Sequence, residues 1–125
     1  MAASKRNIIK EKTFAFALRI IKMYNFLKEN KKEFILSKQL LRSGTSIGAM
    51  VREAINAETL KDFIHKLSIA QKECDETCYW LELLKEANYI SEKEFISIYD
   101  DALELLKIIR SIIIKSKQKL TANNS

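Results

Sequence analysis

Few side chains of this sequence could do chemistry, and those few recur at helical spacing. The single histidine, His65, would have to serve any Ser-His-Asp arrangement, and no nucleophile motif stands near it. A solvated or partner-facing imidazole fits that setting better than a catalytic base. Carboxylates gather at Glu73, Asp75, Glu76, Glu82 and Glu86. Di-iron bundles pair such groups through Glu-x-x-His, but position 62, three residues before His65, holds aspartate. Cys74 and Cys78 lie one helical turn apart, which matches neither a disulfide framework nor the closer cysteine pairs of zinc and redox motifs; reduced, partly buried thiols are expected. The run Gly44-Thr-Ser-Ile-Gly48 lacks the Gly-Lys-Ser/Thr ending of a phosphate loop and falls inside a helical repeat. These residues predict no enzyme, no metal site and no cofactor.

Charge is the remaining chemical signal. The net charge is +6, and it is unevenly placed. Through Asp62 there are 13 basic and 6 acidic side chains, 13 − 6 = +7; the remainder carries 9 and 10, 9 − 10 = −1. Lys12, Arg19, Lys22, Lys28, Lys31, Lys32 and Lys38 are the candidate contacts to RNA or DNA phosphates. Lysines on solvated helix faces are the alternative reading. No interleaved aromatic-basic motif supports sequence-specific recognition.

The elements that must position these groups are helices. A length of 125 residues suits one domain, and with no proline and two glycines the usual helix breakers are nearly absent. The first helix is predicted over Ile8 to Glu29, with Phe14, Ala17, Leu18, Ile21, Tyr24 and Asn25 toward the core. A second starts near Ser37, whose hydroxyl would cap it, and lines Leu40, Gly44, Ile47, Val51, Ala54 and Ile55 on one side, after a packed connection of Phe34, Ile35 and Leu36. Thr59 with Asp62 and Ser91 with Glu94 are capping-box pairs that open a third helix, with Leu60, Phe63, Leu67, Ala70, Cys74, Thr77, Leu81 and Leu84 as its core stripe, and a fourth, with Phe95, Ile98, Ala102, Leu105, Ile109 and Ile112, fraying near Lys119. Short connections force neighbouring helices to run antiparallel, so the predicted class is all-α: an up-down-up-down four-helix bundle over residues 1–120, with a mobile tail at 121–125. The beginning of the chain has no secretory signal pattern, and no apolar run approaches the ~18 residues of a membrane span, so a cytoplasmic protein without a membrane partner is expected.

Two helices carry more apolar surface than one core face needs. Opposite the Phe14, Leu18, Ile21 stripe, Ile9, Phe16, Ile20, Met23 and Leu27 repeat at heptad-like spacing, and Ile69, Trp80 and Leu83 flank the core stripe of the third helix. Both sets are expected to contact other copies of the chain, because a monomer would leave them wet. Glycines cost about 1 kcal/mol each inside a helix. Gly44 and Gly48 are therefore expected where a neighbouring helix or a bulky side chain such as Trp80 comes close.

The segments Leu40-Leu-Arg-Ser-Gly-Thr-Ser-Ile-Gly48, Arg52-Glu-Ala54, Asp62-Phe-Ile-His-Lys-Leu67, Ile69-Ala70, Lys72-Glu73, Glu76-Thr77 and Tyr79-Trp-Leu81, in that order, resemble the 23S rRNA-intervening sequence proteins. Met50 stands where that resemblance implies asparagine. The resemblance implies a ring-like homo-oligomer, often a pentamer, with no catalytic residue. It extends to the accessory variability determinant of diversity-generating retroelements, which binds nucleic acid and a reverse transcriptase. Two functions follow as expectations: a nucleic-acid-binding oligomer, or a scaffold that docks a protein partner on the flank of Ile69, Trp80 and Leu83.

Overall fold

The computed structural model of the chain describes residues 2–123, with the side chains of residues 5–123. It is an all-α four-helix bundle: α1 spans Ala2–Asn30, α2 Leu36–Ile55, α3 Leu60–Glu86 and α4 Glu92–Asn123. Contacts across each seam show the direction of travel. Ile20 and Thr13 of α1 meet Gly44 and Gly48 of α2, Arg42 and Glu53 of α2 pair with Glu73 and Lys66 of α3, and Glu82 and Lys85 of α3 meet Tyr99 and Glu92 of α4. Numbers rise on one helix as they fall on the next, so every neighbouring pair is antiparallel. Lys12–Glu104 and Arg19–Asp101 close α1 onto α4 in the same sense.

The chain starts and stops where its capping chemistry allows. Thr59 accepts from the Asp62 amide at 3.0 Å and opens α3. Ser91 and Glu94 exchange bonds reciprocally at 3.1 Å and open α4. At α2 the expected cap is replaced. The Ser37 hydroxyl donates to the Glu33 carbonyl at 2.8 Å, while the Glu33 carboxylate accepts from the amides of Ile35, Leu36 and Ser37 at 3.2, 3.0 and 2.7 Å. An anion with two oxygens satisfies more orphan amides than one hydroxyl can, and the positive end of the helix favours it. Lys32 turns the chain with φ 54° just before it. Helix α4 passes the expected fraying point at Lys119 and takes in residues 121–123; residues 124–125 of the expected tail lie outside the described residues.

The core of α2, α3 and α4 follows the expected stripes: Leu40, Ile47, Val51, Leu67, Ala70, Cys74, Leu81, Leu84, Ile98, Ala102, Leu105 and Ile109 are all buried. Helix α1 is turned the other way. Ile9, Phe16, Ile20 and Leu27, expected to meet another copy, are 0–2% exposed inside the chain's own core, whereas Phe14, Leu18 and Ile21, expected inside, are 54, 50 and 39% exposed. Periodicity alone cannot say which of two apolar stripes faces the bundle. The glycines of α2 decide it: a Cβ on Gly44 would stand 2.7 Å from Ile20, so the notch fits the Ile20 side of α1. Of the two expected neighbours of these glycines, a helix or a bulky side chain such as Trp80, it is the helix α1 that comes close. The connection before α2 also differs, since Phe34 and Ile35 are 50 and 75% exposed rather than packed.

Buried polar groups are few and all partnered among the described residues. Thr13 returns its hydroxyl to the Ile9 carbonyl at 2.8 Å, and the Ser43 and Thr77 hydroxyls bond each other at 2.9 Å across the α2–α3 seam. No helix of the described residues is long and apolar enough to cross a membrane.

Candidate nucleic-acid interface

The structure divides the basic residues of the first half into two groups. Lys12 and Arg19, both expected to meet phosphate, are engaged within the chain. Lys12 pairs with Glu104 at 3.2 Å, and Arg19 reaches Asp101 at 2.6 Å and the Ser97 hydroxyl at 2.9 Å. The seam between α1 and α4 is the thinnest in the bundle, and these pairs span it. Being largely solvated, they contribute at most about 1 kcal/mol each. They also neutralise two of the expected phosphate contacts.

The second group stays available. Lys22, Lys28, Lys31, Lys32 and Lys38 enter no ion pair among the described residues. Lys28 and Lys31 hold their ammonium groups 4.9 and 5.8 Å from the ring centroids of Tyr24 and Phe26, which orients them without cancelling their charge. Lys31, Lys32 and Lys38, all exposed, flank the exposed Phe34 and Ile35 along the chain at the α1–α2 connection. Below this tip, a cleft of about 470 Å³ between α1 and α4 is lined by Lys22, Met23 and Phe26 on one side and by Lys93, Glu94 and Ser97 on the other. Sequence reasoning placed Phe34 and Ile35 inside. The signal that could have found them is their position between basic residues, outside any helical repeat.

The groups with possible chemistry of their own sit apart. His65 is exposed on α3. Arg42 binds Glu73 at 3.3 Å and also Glu76, whose carboxylate takes the Trp80 indole N–H at 3.3 Å; these acids serve an α2–α3 brace. Cys74 is fully buried and directs its sulfur to the Ala102 carbonyl at 3.3 Å. Hydrogen bonding with Cys78, together with burial, raises its pKa and keeps the thiol protonated. Burial and then the bond to Glu82 push Tyr99 up to about 12. No group of three or more potential metal ligands occurs among the described residues.

Of the expected assembly residues, Ile9, Phe16, Ile20 and Leu27 are unavailable, and Met23 and Trp80 are partly buried against the core. Ile69 and Leu83 are half-buried. The apolar surface left open on α1 is Ile8, Phe14, Leu18 and Ile21, with Ile96, Leu103 and Ile114 open on α4. Phe14 is covered on one side by Arg52, whose guanidinium lies 5.6 Å from its ring centroid.

Comparison with known proteins gives the chain its relatives. A crystal structure of a protein of unknown function from the S23 ribosomal protein family of Bacteroides thetaiotaomicron superposes with a TM-score of 0.86 at 52% identity, over 87% of this chain and 97% of that one. No curated protein matches the sequence. The 23S rRNA-intervening sequence protein family matches residues 5–111, a span that takes in the greater part of all four helices. The chain therefore belongs to the 23S rRNA-intervening sequence protein family.

Proposed function

We propose that this protein is a non-enzymatic, cytoplasmic homo-oligomer, a ring of the kind, often pentameric, that its family resemblance implies, and that it binds RNA or DNA through basic helix ends. The observation that carries the binding is the α1–α2 tip, where exposed Lys31, Lys32 and Lys38, without ion pairs among the described residues, flank an exposed Phe34 along the chain. Ammonium groups gathered on one short segment neutralise phosphates of a strand, and one exposed ring offers a base a stacking surface without selecting its identity. A single tip binds weakly. Several tips on one assembly act together, because engaging the first raises the effective concentration of the rest. Assembly is supported by the open stripe Phe14, Leu18, Ile21 on α1, which a second copy would cover.

The test is equilibrium binding to single-stranded RNA and DNA over a salt series. Affinity is expected to fall steeply with salt, and a Lys31→Gln, Lys32→Gln, Lys38→Gln variant is expected to flatten the log–log slope by roughly 1 for each phosphate no longer neutralised. Phe34→Ala is expected to weaken binding at all salts without changing that slope. Absence of retention at low salt would refute the reading. A scaffold that docks a protein, including a reverse transcriptase, on the half-buried Ile69, Trp80 and Leu83 flank would be unaffected by the lysine changes.

A further inference from the structure

The opposite end of the α1–α4 seam holds a second concentration of charge, outside the seven candidate phosphate contacts. There the start of α1 meets the last turns of α4 over the beginning of α3. A cleft of about 270 Å³ lies between them, with Lys5, Arg6, Lys115 and Lys119 around it. Its floor is Leu60, Phe63 and Ile112, and Ser116 adds a hydroxyl. Lys115 and Lys119 share one face of α4 by their spacing. Arg6 is steadied with its guanidinium carbon 4.5 Å from the Phe63 ring centroid. Lys5 lies near enough to Lys115 that hydrogen bonding with it, and repulsion from it, lower the Lys5 pKa.

Between the helices, by contrast, several cations face carboxylates: Lys12 faces Glu104, Arg19 Asp101, Arg42 Glu73, and Lys66 Glu53. Here no carboxylate among the described residues lines the cleft. Like charges placed that close oppose the fold, and a bound anion would relieve the opposition. Charge and surface together define the anion. Four cations around one small recess suit a phosphate monoester, which carries nearly two charges at neutral pH, better than an internal phosphodiester, which carries one. Guanidinium and hydroxyl groups match phosphate oxygens geometrically. The apolar floor accommodates the carbon skeleton that bears the phosphate, which inorganic phosphate lacks.

We propose that this cleft binds the phosphate monoester of a nucleotide, either free or as the 5′ end of a strand. The strand form rests on the nucleic-acid reading above; the free form does not. The experiment compares short 3′-labelled oligonucleotides that differ only in a 5′-phosphate or 5′-hydroxyl, by fluorescence anisotropy, with AMP against adenosine followed by NMR of the amides of residues 115–119. The 5′-phosphorylated strand is expected to bind on the order of tenfold more tightly, and AMP but not adenosine to shift those resonances. Lys115→Gln with Lys119→Gln is expected to abolish both preferences. Lys115→Arg, which keeps the charge, and Lys31→Gln with Lys32→Gln, which alter the far tip, are expected to retain them.

If neither strand binds while AMP does, the cleft stands as a mononucleotide site and the general nucleic-acid reading falls. If both strands bind equally and AMP does nothing, the cleft proposal is overturned and the general reading survives. A preference that persists in the Lys115→Gln, Lys119→Gln variant also overturns it.

Discussion

Gly44 and Gly48 occupy the same face of α2 one turn apart, yet their neighbours make them unequal. At Gly44 an added Cβ would stand 2.7 and 2.8 Å from the two branches of Ile20, a side chain with no exposed surface and no room to retreat. At Gly48 the nearest atom is the Thr13 hydroxyl at 3.3 Å, and a shift of a few tenths of an ångström would relieve the crowding. Alanine gains about 1 kcal/mol over glycine inside a helix, whereas overpacking a rigid site costs about 1–3 kcal/mol. Gly44→Ala is therefore expected to lower unfolding stability by up to about 2 kcal/mol, and Gly48→Ala to leave it unchanged or raise it by up to about 1 kcal/mol, in parallel urea denaturations. Equal losses at both positions would show that the notch is not specific to Ile20.

Among the elements, α2 depends most on a residue outside itself. Glu33 is 7% exposed and gives its carboxylate to three amides at the start of the helix. Glu33→Ala leaves those amides without acceptors and is expected to cost about 1–3 kcal/mol, with the loss of amide-exchange protection concentrated at residues 35–37. This cap is not legible in the sequence, because a glutamate four residues before a serine matches no capping box, and Ser37 offers the more familiar pattern. The other helices show what sequence does reveal. On α3, Leu67, Ala70, Cys74, Thr77, Leu81 and Leu84 alternate by three and four while Ile69, Trp80 and Leu83 only flank them, so the central stripe is readable as core and is buried. On α1 two such stripes compete, and only the notch across the seam distinguishes them. The candidate phosphate-binding residues divide for a similar reason: charge can be counted along the chain, but Lys12 and Arg19 lose theirs to Glu104 and Asp101, roughly 90 and 80 positions away.

For the molecule as a whole, the orientation of α1 gives the proposed assembly a different apolar stripe from the one the sequence suggested. Phe14, Leu18 and Ile21 recur on one face, each well exposed, and an apolar stripe open to water calls for cover. Under the proposed function the lysine tip also gains from assembly, since several weak phosphate sites presented together bind more tightly than one. Leu18 touches solvent rather than core, so Leu18→Glu should leave the helical content and the fold of the subunit unchanged while placing a charge in the interface. The deciding measurement is the mass in solution by light scattering for the parent chain and for Leu18→Glu. A multiple of the 14.5 kDa subunit is expected for the parent, and a shift toward 14.5 kDa for the variant. A parent that stays at 14.5 kDa at high concentration would contradict assembly through this face.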